Sequence, residues 1–367
     1  MQFRYKKITV KVGSNVLAKP DGTLNVSRIA HLVDQLAFLH KNGVEVVLVS
    51  SGAVAAGKAV MQPHKKTDAV SQRQLWAALG QVKLISRYSD FFQEDGVVCA
   101  QVLTTKENFS SRGHYLNMKN CITTLLENKV VPIVNENDTI SITELMFTDN
   151  DELSGLMASM VGSDALIILS NVDGVYNGHP AHSDSTLIEK IEVTQHEPEK
   201  AISSEQSNFG RGGMHTKFRI AKKVAGDGIA VHVANGTTDN ILINLLDTSK
   251  KVAHTYFVPS HKTASGVKKW IAYADDFVKG EVLVNEGAAK ALASEKAVSL
   301  LPVGLIRVLR EFKRGDLIRI IDENDMQLGI GKAAYASEKI EKEKKSKKQK
   351  PLIHYDYMYL ENKAKTK

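Results

Sequence analysis

The chain has 367 residues, 43% of them hydrophobic and 24% charged. That is enough apolar material for a full core, and the length predicts two domains better than one, so disorder is not the default expectation. The formal net charge of +7 gathers largely in the last thirty residues, which makes it a local feature rather than a field over the whole molecule.

The N-terminal segment MQFRYKKITVKVGS meets Lys11 and Gly13 after a short apolar stretch, so it cannot form the apolar core of a signal peptide. Ile8 to Val12 and Val44 to Val49 are short continuous apolar runs, the pattern of strands buried on both faces. Between them, Ile29, Leu32, Val33, Leu36 and Leu39 follow the i, i+3, i+4, i+7 spacing of one helix face, and Asn42-Gly43 supplies the stop. This βαβ pattern recurs. A helix around Gln72 to Phe92 leads to a strand at Val97 to Val102, and a helix near Tyr115 to Asn128 leads to a strand at Val130 to Val134. Helices at about Glu152 to Val161 and Met214 to Val224 then precede strands at Ala165 to Leu169 and Ile229 to Val233. Parallel strands need such crossovers, so the expected fold class is α/β, a three-layer αβα sandwich around a mostly parallel sheet.

Beyond about residue 258 the periodicity changes. Val258 to Gly266 is polar and carries a proline, as a linker should. The segments at 281–285, 304–309 and 316–321 alternate over short lengths between glycine-containing turns, with a small helix near Ala288 to Ala293, which predicts a small β-rich domain. The lysine- and glutamate-dominated run from Lys339 to Lys350 reads as a solvated loop. Cys99 and Cys121 form no CxxC pair and fit a reducing compartment, and no apolar run nears the ~20 residues of a membrane span. The expected location is cytoplasmic.

In an open parallel sheet, ligands bind beyond the carboxyl ends of the strands, and distinctive residues stand there throughout. Lys11-Val12-Gly13-Ser14-Asn15 follows the first strand and Ser50-Ser51-Gly52-Ala53 the second; glycine lets backbone N–H groups approach an anion closely. No GxxxxGK[ST] P-loop occurs, and Gly329-Ile330-Gly331 lies in the β-rich tail rather than in a βαβ unit, so it is discarded as a dinucleotide fingerprint. Asn135-Glu136-Asn137-Asp138-Thr139 and Asp149-Asn150-Asp151-Glu152 are acidic-amide clusters able to accept an ammonium group and orient a carboxylate. Gly210-Arg211-Gly212-Gly213 opens the helix carrying Met214, His215, Thr216 and Lys217, a geometry suited to phosphate, and Ser170-Asn171 to Tyr176 could wall a nucleotide site. His179 and His182 lack an evident third ligand and read as a loop.

The set VKVGSN, VSSGA, NENDT, TDNDELSG, DGVYN and GRGGMHTK, in this order across residues 8 to 257, resembles the glutamate 5-kinases of the amino-acid kinase family. The tail segments GEVLVNEGAAKAL, SLLPVGL and FKRGDLIRI look like the PUA domain, a small β-rich barrel, that many of these kinases carry. The resemblance implies an amino-acid kinase domain over 1–258, a linker over 259–274 and a PUA-like domain over 275–362. It implies ATP-dependent phosphorylation of the L-glutamate γ-carboxylate to γ-glutamyl phosphate, the first step of proline biosynthesis, with Mg²⁺ bridging the ATP phosphates. Lys11 and Lys217 look like the two lysines that hold the transferring phosphoryl group, and Asp151 like the aspartate that orients them. Ser51, Asp138, Asn150 and Asn135 match glutamate-binding positions. Lys11, Gly13, Ser14, Ser170, Asn171, Arg211, Gly212, Gly213, Met214, His215, Thr216 and Lys217 match ATP-binding ones. Two departures stand out: the family commonly has Thr-Asp at Ser170-Asn171 and Thr at Arg211. The resemblance also implies proline as feedback inhibitor through the loop from Asp138 to Asp151, a downstream glutamyl-phosphate reductase, and a homo-oligomer, dimer or tetramer. RNA is a further partner implied for the tail, weakened because the helix usual before the last strand is shortened or replaced by the lysine-rich run.

Overall fold

The computed structural model describes all residues other than 1, 62, 64–66, 110–111, 142–149, 181, 183, 194–212, 261–269, 272–276, 295–297, 347–348 and 361–367. The chain divides into two compact units, Met1–Thr263 and Ala264–Lys367.

The strands of the first unit are β1 (Lys7–Val12), β2 (Glu45–Ser50), β3 (Val98–Thr104), β4 (Val130–Glu136), β5 (Ala165–Ser170), β6 (Lys190–Glu192), β7 (Ala230–Asn235) and β8 (His254–Val258). They form one eight-stranded sheet in the order β3-β4-β2-β1-β5-β7-β8-β6. Every neighbouring pair is parallel except β7 with β8, so the sheet is mostly parallel, as expected. The continuous apolar runs become the inner strands β1, β2 and β5, whose residues are almost all buried because helices cover both faces. Short β6 and antiparallel β8 carry no such run, and the sequence pattern does not announce them. The helices are α1 (Ser14–Leu17), α2 (Val26–Lys41), α3 (Ala53–Lys58), α4 (Ala69–Glu94), α5 (Arg112–Glu127), α6 (Asn150–Val161), α7 (Met214–Gly226) and α8 (Ile241–Leu246).

Period-two alternation sorts the strand residues between two layers. Ile8, Val10, Val46, Leu48, Ile167 and Leu169 share one core with the apolar faces of α2, α4 and α8. The intervening positions face α6, where Thr9 pairs with Ser163 at 2.8 Å and Lys11 reaches Asp151. Helix α6 is buried at nearly every position, the signature of a helix inside a layer rather than on a surface. Helix α4 is fixed at its start by Asp68, whose carboxylate accepts from the Val70 and Ser71 N–H groups. Its packing on α3 is backbone against backbone: a Cβ on Gly80 would stand 1.7 Å from the Ala53 carbonyl oxygen, and one on Gly57 1.8 Å from that of Trp76.

The second unit holds β9 (Gly280–Val284), β10 (Leu305–Arg310), β11 (Leu317–Ile321), β12 (Gln327–Lys332) and β13 (Met358–Leu360), in the order β10-β9-β11-β12-β13. Its core is apolar, built on Val282, Val284, Leu305, Ile318, Ile320 and Ile353 beneath helix α9 (Glu286–Ala293). Gly329 and Gly331 lie in β12, where added Cβ atoms would stand 2.2 Å from the Tyr359 carbonyl oxygen and 2.3 Å from the Ile353 side chain. These glycines serve close strand packing, consistent with discarding them as a fingerprint. The lysine-rich run corrects the solvated-loop expectation: Ile340–Lys344 forms a short helix, α10. Ile340 inserts into the apolar core and Lys344 pairs with Glu341, which gives the run an inner face that its charge count hides. Among the described residues no helix is long and apolar enough to cross a membrane.

Candidate active site at the carboxyl edge of the sheet

Lys11 is the fifth residue of β1, on the face toward α6, and α6 begins with Asn150-Asp151. The Lys11 Nζ lies 2.5 Å from Asp151 Oδ1. From the first turns of α7, Lys217 Nζ lies 3.0 Å from Asp151 Oδ2. Lys11 is 4% exposed, Lys217 9% and Asp151 not at all. Two buried ammonium groups therefore share one buried carboxylate, a concentration of charge in a place where charge is costly. An anion is the natural complement. Asp151 also sits in the first turn of a helix, where the macrodipole favours its negative charge.

One residue earlier, Asn150 Nδ2 donates to the Ser50 carbonyl oxygen at 3.0 Å, Ser51 Oγ at 3.1 Å and Asn135 Oδ1 at 3.0 Å. An amide has two hydrogens for these three acceptors, so the contacts are shared ones. The consequence is that the ends of β2, β4 and α6 are tied at one amide, and Ser51, Asn135 and Asn150 stand together beside the lysine–carboxylate cluster. Asp138 lies a few residues past β4 and takes a different partner: both Nε and a terminal nitrogen of Arg73, at 3.2 and 2.6 Å, donate to its Oδ1.

The nucleotide candidates line the adjoining strand ends. Gly13 follows β1, and its own N–H donates to the Leu169 carbonyl oxygen at 3.2 Å, so it ties the loop to β5. Ser170 ends β5; its Oγ donates to Asn171 Oδ1 at 3.4 Å, and its carbonyl accepts from the Gly236 N–H at 2.7 Å. Nearby, Asp173 accepts from Asn235 Nδ2 at 3.0 Å and from the Tyr176 hydroxyl at 3.4 Å; burial and the Asp173 charge hold that hydroxyl above its ordinary pKa. Gly213 is the N-cap of α7 and has no side chain to cap it, so Met214, His215 and Thr216 place their amides at the helix N-terminus. Arg211 and Gly212 lie outside the described residues. His179 and His182 form a turn, with the His182 N–H donating to the His179 carbonyl at 2.9 Å.

Sequence reasoning missed the contribution of α4. Besides Arg73, Gln74 Nε2 donates to the Thr139 carbonyl at 2.9 Å, and Gln81 Oε1 accepts from Asn135 Nδ2 at 3.0 Å. Tyr88 OH pairs with Ser50 Oγ at 2.8 Å, and burial pushes its pKa up to about 12. Arg73, Gln81 and Tyr88 stand at i, i+8 and i+15, one stripe of the helix, so polar residues recurring on an inward face were the available signal. A cavity of about 350 Å³ adjoins this stripe, lined by Ala77, Gln81, Ile85, Leu103 and Asp138 among others. Lys106 approaches Glu152, the residue after Asp151, at 3.6 Å.

Comparison with known proteins places the chain by family. The family model for the amino acid kinase family matches residues 6–235, and that for the PUA domain matches residues 280–355. The chain is 54% identical over 361 residues to a glutamate 5-kinase of Bacteroides thetaiotaomicron, covering 98% of this chain and 100% of that one. It is 46% identical over 357 residues to a glutamate 5-kinase of Chlorobaculum tepidum, covering 97% and 98%, and 39% identical over 354 residues to one of Thermoanaerobacter sp. (strain X514), covering 96% and 94%. This chain therefore belongs to the amino acid kinase family and carries a PUA domain at its C-terminal end.

Proposed function

We propose that the protein transfers the γ-phosphoryl group of ATP to the γ-carboxylate of L-glutamate, giving γ-glutamyl phosphate for proline synthesis. The observation that carries this is the pair of buried lysines on Asp151, set next to the Ser51–Asn135–Asn150 cluster. Phosphoryl transfer passes through a loose and highly anionic transition state, so catalysis is positioning plus charge stabilisation. Lys11 and Lys217 supply the charge from two sides of the migrating group. Asp151 holds the two ammonium groups together and orients them. It has no proton to remove, because the glutamate γ-carboxylate is already ionised at neutral pH. Ser51, Asn135, Asn150 and Asp138 receive glutamate, with Asp138 taking its ammonium group. Gly13, Ser14, Ser170, Asn171 and the segment Arg211 to Lys217 receive ATP, its phosphates against the start of α7.

Mg²⁺ belongs to the same proposal. Among the described residues no three His, Cys, Asp or Glu side chains group as a metal cage, and Asp151 is taken up by two lysines. Mg²⁺ is commonly held by phosphates and water with few protein carboxylates, so these residues fit an ion carried in on ATP, where it neutralises phosphate charge. A cytoplasmic homo-oligomer, inhibition by proline at the loop from Asp138 to Asp151, delivery of the labile acyl phosphate to a glutamyl-phosphate reductase, RNA contact through the tail, and a 259–274 linker complete the reading. The test is ADP release from ATP with glutamate, N-acetylglutamate, aspartate and a nucleoside monophosphate, joined for the three carboxylate acceptors to a hydroxamate assay, which traps an acyl phosphate, with and without proline. Hydroxamate formed with glutamate alone supports the proposal, and a preference for another acceptor refutes it.

A further inference from the structure

We infer that Arg73 is a positioning residue of the glutamate site, acting through Asp138; the inference rests on the function proposed above. Both donors of the Arg73 fork converge on Asp138 Oδ1, at 3.2 and 2.6 Å, and neither uses Oδ2. The carboxylate is thereby fixed in orientation through one oxygen while the other stays available to an incoming ammonium group. The Asp138 side chain is 9% exposed and that of Arg73 29%, so the pair is sheltered enough for its geometry to matter. A lysine in the same place would supply a point charge but not a fork.

What makes Arg73 a ruler rather than a surface partner is the rigidity of its helix. Asp68 caps α4 one turn before Arg73, and the Gly57 and Gly80 contacts seat α4 on α3, which starts directly after Ser51-Gly52. From that seat, Arg73 holds Asp138, Gln74 holds the Thr139 carbonyl and Gln81 holds Asn135. Strand β3 adds a further tie, the Asn137 N–H donating to the Thr104 carbonyl at 2.7 Å. The loop leaving β4 is thus measured off against the element that also positions Ser51, and Arg73 sets the position of the one carboxylate in it proposed to read the substrate ammonium.

The experiment is steady-state kinetics on Arg73→Gln, Arg73→Lys, Asp138→Asn and the double variant R73Q/D138N. Arg73→Gln is expected to raise the KM for glutamate about tenfold, the loss of roughly 1.4 kcal/mol of pre-organisation, while kcat and the KM for ATP stay within about threefold. Arg73→Lys is expected to fall between it and the wild type. On the Asp138→Asn background the same Arg73→Gln change should move the KM for glutamate by less than about twofold, because the residue acts through the carboxylate. An unchanged glutamate KM in Arg73→Gln, a parallel shift of both KM values and kcat, or an equal effect on the Asp138→Asn background would overturn the inference. Failure of the wild-type protein to form hydroxamate from glutamate would instead strike the parent reading, so the two failures are distinguishable.

Discussion

The two units of this chain treat charge in opposite ways. Among the described residues, every buried polar or charged side chain lies in the first unit, from Thr9 to Thr255, and the second unit has none. Its ion pairs are exposed or half-exposed, such as Lys290–Glu286 at 2.6 Å with both side chains about three-quarters accessible. Exposed pairs contribute little to stability, about 0–1 kcal/mol, whereas a buried charge must be matched or it costs several kcal/mol. A fold keeps such a cost where the charge is matched or has work to do, and in the first unit the two buried lysines, Lys11 and Lys217, meet Asp151 at the carboxyl edge of the large sheet. The tail, by contrast, is held by apolar burial.

The sharpest way to break this contrast is Asp151→Ala. Removing the carboxylate leaves two buried ammonium groups facing each other, and the loss expected is about 3–5 kcal/mol of unfolding free energy together with a collapse of kcat. Chemical denaturation of the full chain checks it. A loss under about 1 kcal/mol would mean that the two lysines are solvated and that the contrast between the units is overstated.

His232 tests the same contrast through pH. It lies inside the first unit, paired with the Tyr5 hydroxyl at 2.8 Å and stacked on Tyr256. Burial, then the nearby His254 and Arg4, push its pKa down from 6.5 to about 3. The unfolded chain binds this proton below about pH 6.5 while the folded protein refuses it until about pH 3, so stability is fully present above the upper value and is lost as pH falls between the two. The slope from this group reaches about 1.4 kcal/mol per pH unit. Unfolding titrations are expected to show that His232→Gln flattens the acid limb by up to that amount. Identical limbs would show that His232 accepts a proton in the folded state. At the small end, Lys290→Ala in the tail should change stability by less than about 0.5 kcal/mol, since its partner is equally exposed. A larger loss, read by thermal unfolding, would mean that the tail too depends on charge.

How far the sequence carried this account depends on periodicity. Strands β1, β2 and β5 and helix α2 were legible because continuous apolar runs and an i, i+3, i+4 stripe each admit one structure. Strand β8 was not, because HTYFV is short and mixes polar with aromatic residues, and its antiparallel pairing is decided by β7. The tail helix α10 hid behind its lysines, since one buried residue, Ile340, sets its face. At the site, Lys11, Asp151 and Lys217 were legible as motif residues at strand and helix ends, and the structure brings them to one point. Arg73 and Gln81 were not, because a long helix offers many polar positions and only tertiary packing selects those that turn inward.

The central claim is that Lys11 and Lys217 act on one migrating phosphoryl group. Its most direct test is a kinetic double-mutant cycle with Lys11→Ala and Lys217→Ala at saturating ATP and glutamate. Each single variant is expected to lower kcat by roughly 10²-fold or more, and the double variant by much less than the product of the two, because the first loss already disables the shared site. Losses that multiply, or a kcat left unchanged by either substitution in a folded protein, would contradict it.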